Sequence, residues 1–193
     1  MGKGYIMKEI ILASQSPRRK ELLEKCNVSF LCDPAAIDET LHTDLSLAEA
    51  VAELSYRKAA SVLERHPDAL VIGSDTIVTI HDRVLGKPKD EEEAYAMLES
   101  LQGNTHQVIT GICFLSQERK YVDKVVSHVT FASMEPAEIL AYIATGEYKD
   151  KAGAYGIQGF GGRYIEHIDG DYYAIMGLPL HLVYKELQKQ NLY

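Results

Sequence analysis

Four apolar residues, Ile10-Ile11-Leu12-Ala13, run without a linker into Ser14-Gln15-Ser16-Pro17-Arg18-Arg19, and this junction constrains the fold more than any other stretch. The apolar run reads as a short buried strand. Ser16 supplies a helix cap, and Pro17 suits the first helical position because it has no N–H to leave unpaired. Leu22, Leu23 and Cys26 then give the helix one apolar face. Strand, tight loop and helix in that order open an α/β fold.

The remaining pattern continues in kind. Val28 to Cys32 reads as a second strand, followed by the acidic loop Ile37-Asp38-Glu39-Thr40. Ser46-x-x-Glu49 is a capping box for a helix running to about Arg65, before Pro67 stops it. Ala69 to Ser74 is a buried strand ending at Asp75, and Thr76 to Ile80 with Val84-Leu85 forms a hairpin across His81-Asp82-Arg83. Asp90 to Ser100 is a helix closed by Gly103, and Gln107 to Leu115 and Tyr121 to Ala132 are paired strands. Pro136 to Thr145 is a helix ended by Gly146, after which Glu147 to Arg163 is irregular and Gly-rich. A last strand pair, Tyr164 to Ile168 and Tyr172 to Ile175, and a helix from about Pro179 complete the chain. With no internal repeat, low-complexity tract or Pro/Ser-rich linker, the expectation is one α/β domain over residues 1–193 with a mixed twisted sheet and flanking helices.

Charge and cysteine usage narrow the function classes. Lys and Arg number 20 against 28 Asp and Glu, a net charge of −8, which disfavours nucleic-acid binding because such surfaces need a basic face. Any phosphate site is therefore a local basic cluster. Cys26, Cys32 and Cys113 are odd in number and lack a CxxC, so neither a disulfide framework nor a zinc site is indicated and a cytoplasmic setting is expected. No apolar run approaches the roughly 20 residues that span a bilayer, and Met1 to Lys8 lacks the apolar core of a signal peptide, so no membrane association is expected.

Several residues carry candidate chemistry. Ser14, Ser16, Arg18 and Arg19 put hydroxyls, unpaired backbone N–H groups and guanidiniums at a positive helix end, a setting that attracts phosphate oxygens. Lys58 falls in the apolar stripe of Val51, Leu54 and Val62, where an ammonium either snorkels from the edge or reaches into a cleft toward an anion. Asp75 closes the most apolar strand, as metal ligands and general bases do in α/β proteins, although Asp also favours turns. Glu39 offers a second metal oxygen, and Lys87 in Leu85-Gly86-Lys87-Pro88 is a loop lysine. The stretch Asp150 to Gly162 looks too polar and too flexible for core. Its glycines permit close backbone approach to a ligand, and Gln158 pairs a donor with an acceptor as a base edge requires. The histidines read as structural or surface residues, with His106 a weak site candidate.

Taken together, the motifs Ser14-x-Ser16-Pro17-Arg18-Arg19, Asp38-Glu39, Lys58, Gly73-Ser74-Asp75-Thr76, Gly86-Lys87-Pro88, His106-Gln107-Val108-x-Thr110-Gly111, Asp150 to Gly159 and Gly177-Leu178-Pro179 resemble, in order, the Maf family. The resemblance implies a two-lobed fold like that of inosine triphosphatase around a central cleft. It also implies a nucleoside triphosphate pyrophosphatase using Mg²⁺ or Mn²⁺. Asp75 would be the catalytic residue and, with Glu39, a metal ligand; Ser14, Ser16, Arg18, Arg19, Lys58, Thr76, Lys87 and Gln158 would bind substrate. Relatives acting on dTTP and UTP resemble this chain in carrying Arg, Thr and Gln at Arg18, Thr76 and Gln158, where relatives acting on 7-methyl-GTP tend to carry Trp, Gln and Glu. The departures are Met1 to Met7 and a short turn near Gln117, neither of which touches a motif. A broader house-cleaning pyrophosphatase and a nucleotide-sensing regulator of cell division or septum formation stay open as alternatives, as does a homodimer.

Overall fold

In the computed structural model, which describes residues 9–192, Ile10–Leu12 forms strand β1 and Pro17–Glu24 forms helix α1. The Ser16 hydroxyl accepts the Arg19 N–H at 3.5 Å, and Leu22 and Leu23 are fully buried, as the junction requires. Phe30–Cys32 forms β2, two residues shorter than the apolar run from Val28. Leu47–Leu63 forms α2, with Ser46 and Glu49 closing the anticipated capping box. Met1 to Met7, the departure noted in the sequence, lies outside the described residues.

Leu70–Ile80 forms β3 and Arg83–Leu85 forms β4. The expected break at Asp75 does not occur. Side chains alternate along a strand, so Asp75 shares its face with Gly73, which meets α2, and an ion pair there satisfies the carboxylate without a turn. Glu91–Leu101 forms α3, Thr105–Leu115 forms β5, Lys120–Phe131 forms β6 and Pro136–Ile143 forms α4. Along β6, Ser127, Val129 and Phe131 are buried in alternation, matching the period of the sequence.

Ile165–Asp169 forms β7, but Tyr172–Ile175 is a single helical turn, α5, and not the second strand of a pair. A local cap overrides the strand propensity of this aromatic and apolar run: Asp171 Oδ1 accepts the Tyr173 and Ala174 N–H groups at 2.8 and 3.1 Å. Strand β7 pairs antiparallel with β6 instead. Leu180–Lys189 forms α6 directly after Pro179.

The seven strands make one mixed sheet, ordered β2-β1-β3-β5-β6-β7 with β4 on β3 and helices flanking it. Strand β1 runs parallel to both β2 and β3, whereas β3 and β4 are antiparallel. The chain gathers into two compact units, one of residues up to Asp75, Gly111–Lys124 and Gly177 onward, the other of Thr76–Thr110 and Val125–Met176. In the first, Ile11, Ala13, Ala59, Val62, Val71 and Cys113 share a core cluster. Helix α2 lies very close to the strands here. A Cβ on Gly73 would stand 2.2 Å from the Ser55 carbonyl oxygen, and one on Gly111 would stand 2.4 Å from that of Val51. Only glycine permits this approach, which seats Lys58 over the sheet.

In the second unit, Gly153 to Ile157 is buried, contrary to the expectation of a loop too polar for core. Tyr155 packs edge-on against Phe131 and His106, and that aromatic contact outweighs the glycine-rich composition of its neighbours. Among the described residues no helix is long and apolar enough to cross a membrane.

Candidate active site

Lys58 is the centre of the first unit's polar cluster. Its Nζ donates to Asp75 Oδ1 at 2.6 Å and lies 2.8 Å from Glu39 Oε1, with the lysine side chain only 8% exposed. The ammonium therefore points inward from the helical stripe. Asp75 is 14% exposed at its side chain and Glu39 60%, so the pair spans a buried and a solvated carboxylate around one cation.

The strand-to-helix junction lies in the same unit. Ser14 is buried, and its Oγ accepts from Ser16 N at 3.1 Å and from Arg19 Nη1 at 3.3 Å. Arg19 Nε also donates to the Gly177 carbonyl at 2.9 Å, to which Ser74 Oγ donates at the same distance. Burial pulls the Arg19 guanidinium below its ordinary range and neighbouring Arg18 adds to this, while Asp75 and Glu39 act in the opposite direction. Arg18 and Ser16 are half-buried at the same helix end.

Thr76, Lys87 and Gln158 belong to the second unit. Thr110 Oγ1 donates to the Ala174 carbonyl at 2.7 Å, so its 2.9 Å contact with Thr76 Oγ1 is a bond donated by Thr76. Lys87 is exposed beyond β4, and the preceding Gly86 carbonyl accepts the Gly153 N–H at 3.1 Å. Gln158 is exposed next to the buried stretch. His106, by contrast, is a core residue: 2% exposed, 2.7 Å from Tyr155 Oη through Nε2, with burial pushing its pKa down to about 4. The weak site reading of His106 is not supported.

Sequence reasoning missed Arg57. Its guanidinium donates to the carbonyls of Asp38 and Thr40, both at 2.7 Å, and its Nε to Glu53 at 2.8 Å, so it pins the backbone on either side of Glu39. The Asp38 carboxylate completes that turn by accepting Thr40 N at 2.9 Å and Thr40 Oγ1 at 2.7 Å. Only the i,i+4 spacing of Glu53 and Arg57 was visible in the sequence, and it shows nothing of the loop they hold.

The donor set suits a hard divalent cation. Glu39 and Asp75 offer carboxylate oxygens that already converge on a single cationic centre, the Lys58 ammonium. No group of three or more His, Cys, Asp or Glu side chains forms a metal cage among the described residues. Mg²⁺ characteristically binds through one or two carboxylates with water and substrate phosphates completing its shell, so two suffice.

A family model described as Maf-like protein matches residues 9–190. A dTTP/UTP pyrophosphatase of a Geobacillus species is 48% identical over 95% of this chain and 98% of that protein. One of Bacillus cytotoxicus is 48% identical over 95% and 96%. One of Bacillus cereus is 45% identical over 98% and 94%.

Proposed function

Starting from the fact that this chain belongs to the Maf-like protein family, we propose that it hydrolyses dTTP and UTP between the α and β phosphorus atoms, giving the monophosphate and pyrophosphate. The observation that carries the reading is Lys58 held between Asp75 and Glu39 in the unit that also presents Arg19 and Ser14 at a helix N-terminus. Such a cluster supplies both signs of charge that phosphoanhydride cleavage needs: cations for the triphosphate and carboxylates for a metal and a water.

The residues divide the work as follows. Arg18, Arg19 and Lys58 neutralise phosphate oxygens, and the Ser14 and Ser16 hydroxyls at the N-terminus of α1 complete an anion cradle. Lys87 binds phosphate, while Thr76 and Gln158 select the base. Glu39 and Asp75 would hold Mg²⁺ or Mn²⁺, which when bound supplies charge neutralisation on the triphosphate. Asp75 orients the attacking water and accepts its proton. Arg57 keeps Glu39 in place through the flanking carbonyls. The reading includes a cytoplasmic setting, supported by the free cysteines Cys26, Cys32 and Cys113, and a nucleotide as the principal partner.

The test is product analysis over a panel of dTTP, UTP, CTP, the purine triphosphates, ITP, XTP and 7-methyl-GTP with Mg²⁺. Pyrophosphate and monophosphate, released fastest from dTTP and UTP, are expected. Faster turnover of ITP or XTP would replace the reading with a house-cleaning enzyme, and tight binding without turnover would replace it with a sensor.

A further inference from the structure

The Gly-rich stretch that carries Gln158 is fastened by one carboxylate that the sequence left unremarked. Glu147 Oε2 accepts the Phe160 N–H at 2.7 Å, and its Oε1 accepts the Gly161 N–H at 3.0 Å and the Tyr142 hydroxyl at 2.9 Å. The Tyr142 oxygen in turn accepts the Gly156 N–H at 3.2 Å. One side chain and its tyrosine partner thus bind backbone groups on both sides of Gln158.

The glycines are explained by the same contact. A Cβ on Gly159 would lie 2.1 Å from Glu147 Oε2, so the carboxylate occupies the volume that any side chain at that position would need. A Cβ on Gly161 would stand 2.8 Å from the Gly156 carbonyl oxygen, and one on Gly162 would stand 2.5 Å from that of Ile157. These glycines serve close packing inside the loop. The bonds that Glu147 accepts, together with Lys151, hold its carboxyl below the usual range despite burial. Lys151 Nζ also ties back to the Glu147 carbonyl at 2.6 Å.

We propose that Glu147 is a positioning residue for base recognition, its carboxylate clamping residues 156–161 so that Gln158 presents its amide in one fixed orientation. The inference rests on the reading that Gln158 selects the base. A preorganised amide binds without the ordering cost of a free loop, so loosening the clamp weakens substrate binding more than the chemical step.

Glu147→Gln keeps the size but turns one acceptor oxygen into an NH₂ group that faces a backbone N–H. Gly159→Ala breaks the same contact from the loop's side and serves if the first variant fails to fold. Either is expected to speed amide hydrogen exchange at Phe160 and Gly161, to raise KM for dTTP about tenfold with kcat within about twofold, and to erode the preference for dTTP over GTP. Gln158→Ala is measured alongside. Faster exchange with unchanged KM and preference, while Gln158→Ala loses the preference, overturns the role of Glu147 alone. Retained preference in Gln158→Ala overturns the base-reading assignment and the role of Glu147 with it.

Discussion

Lys58→Met removes one ammonium while keeping nearly the full apolar stem, so its effect on stability isolates the charge. On helical pattern alone the change is favourable, since Lys58 shares a stripe with Val51, Leu54 and Val62. The structure reverses that sign. With Lys58 8% and Asp75 14% exposed and 2.6 Å between their charged atoms, the variant strands a largely buried carboxylate. Losing one partner of a buried pair costs about 3–5 kcal/mol. Asp75's remaining exposure and the Arg19 charge reduce this, and the buried thioether returns about 1 kcal/mol, leaving a net loss of roughly 2–3 kcal/mol. Glu39 adds little, because its exposed carboxylate regains water. At this chain length the loss corresponds to a melting temperature lower by about 5–10 °C. Asp75→Asn in the same background removes the stranded charge and restores most of the stability. Urea denaturation of wild type, both single variants and the double variant closes the cycle, with an expected coupling of about 2 kcal/mol. Single-variant losses that add to within about 0.5 kcal/mol would refute the buried pair.

Asp75→Asn alone is expected to lower kcat for dTTP by at least about 10²- to 10⁴-fold, since an amide neither takes the water's proton nor binds a hard cation well; near-wild-type pyrophosphate release at saturating Mg²⁺ would exclude both roles. Changing Arg18, Thr76 and Gln158 together to Trp, Gln and Glu should shift the ratio of kcat/KM for dTTP and 7-methyl-GTP by several kcal/mol toward the latter, and an unchanged ratio would move base recognition elsewhere. His106 gives a pH signature: its folded pKa of about 4 lies below the ordinary 6.5, so the unfolded chain protonates first and stability is lost as pH falls from about 6.5 toward 4. The loss reaches up to about 3 kcal/mol, and His106→Gln should flatten that part of the urea-midpoint profile; an unchanged slope in the variant would assign the loss to other groups. Gly111→Ala should destabilise by about 1–3 kcal/mol because its Cβ meets the Val51 carbonyl; a neutral result would mean that α2 can retreat from the sheet without loss.

What the sequence made legible was set by the range of the interaction involved. The capped junction at Ser16 and the capping box at Ser46 are contacts within a few residues, so composition and spacing contain them completely. Asp75 failed as a strand end because its neutralising partner, Lys58, is 17 residues away, and a turn is the default for an aspartate whose partner is unseen. Tyr172–Ile175 failed in the opposite sense: the cap at Asp171 is local, but four consecutive aromatic and apolar residues read as a strand in a segment too short to show a period. Glu147 reaches loop amides 13 and 14 residues away, and Arg57 reaches carbonyls 19 and 17 residues away. Both bind backbone, which every residue carries alike, so no spacing of side-chain types announces them. The groups expected to meet substrate were therefore nameable from residue type, whereas the groups that fix them in place became visible only once the backbone had a shape.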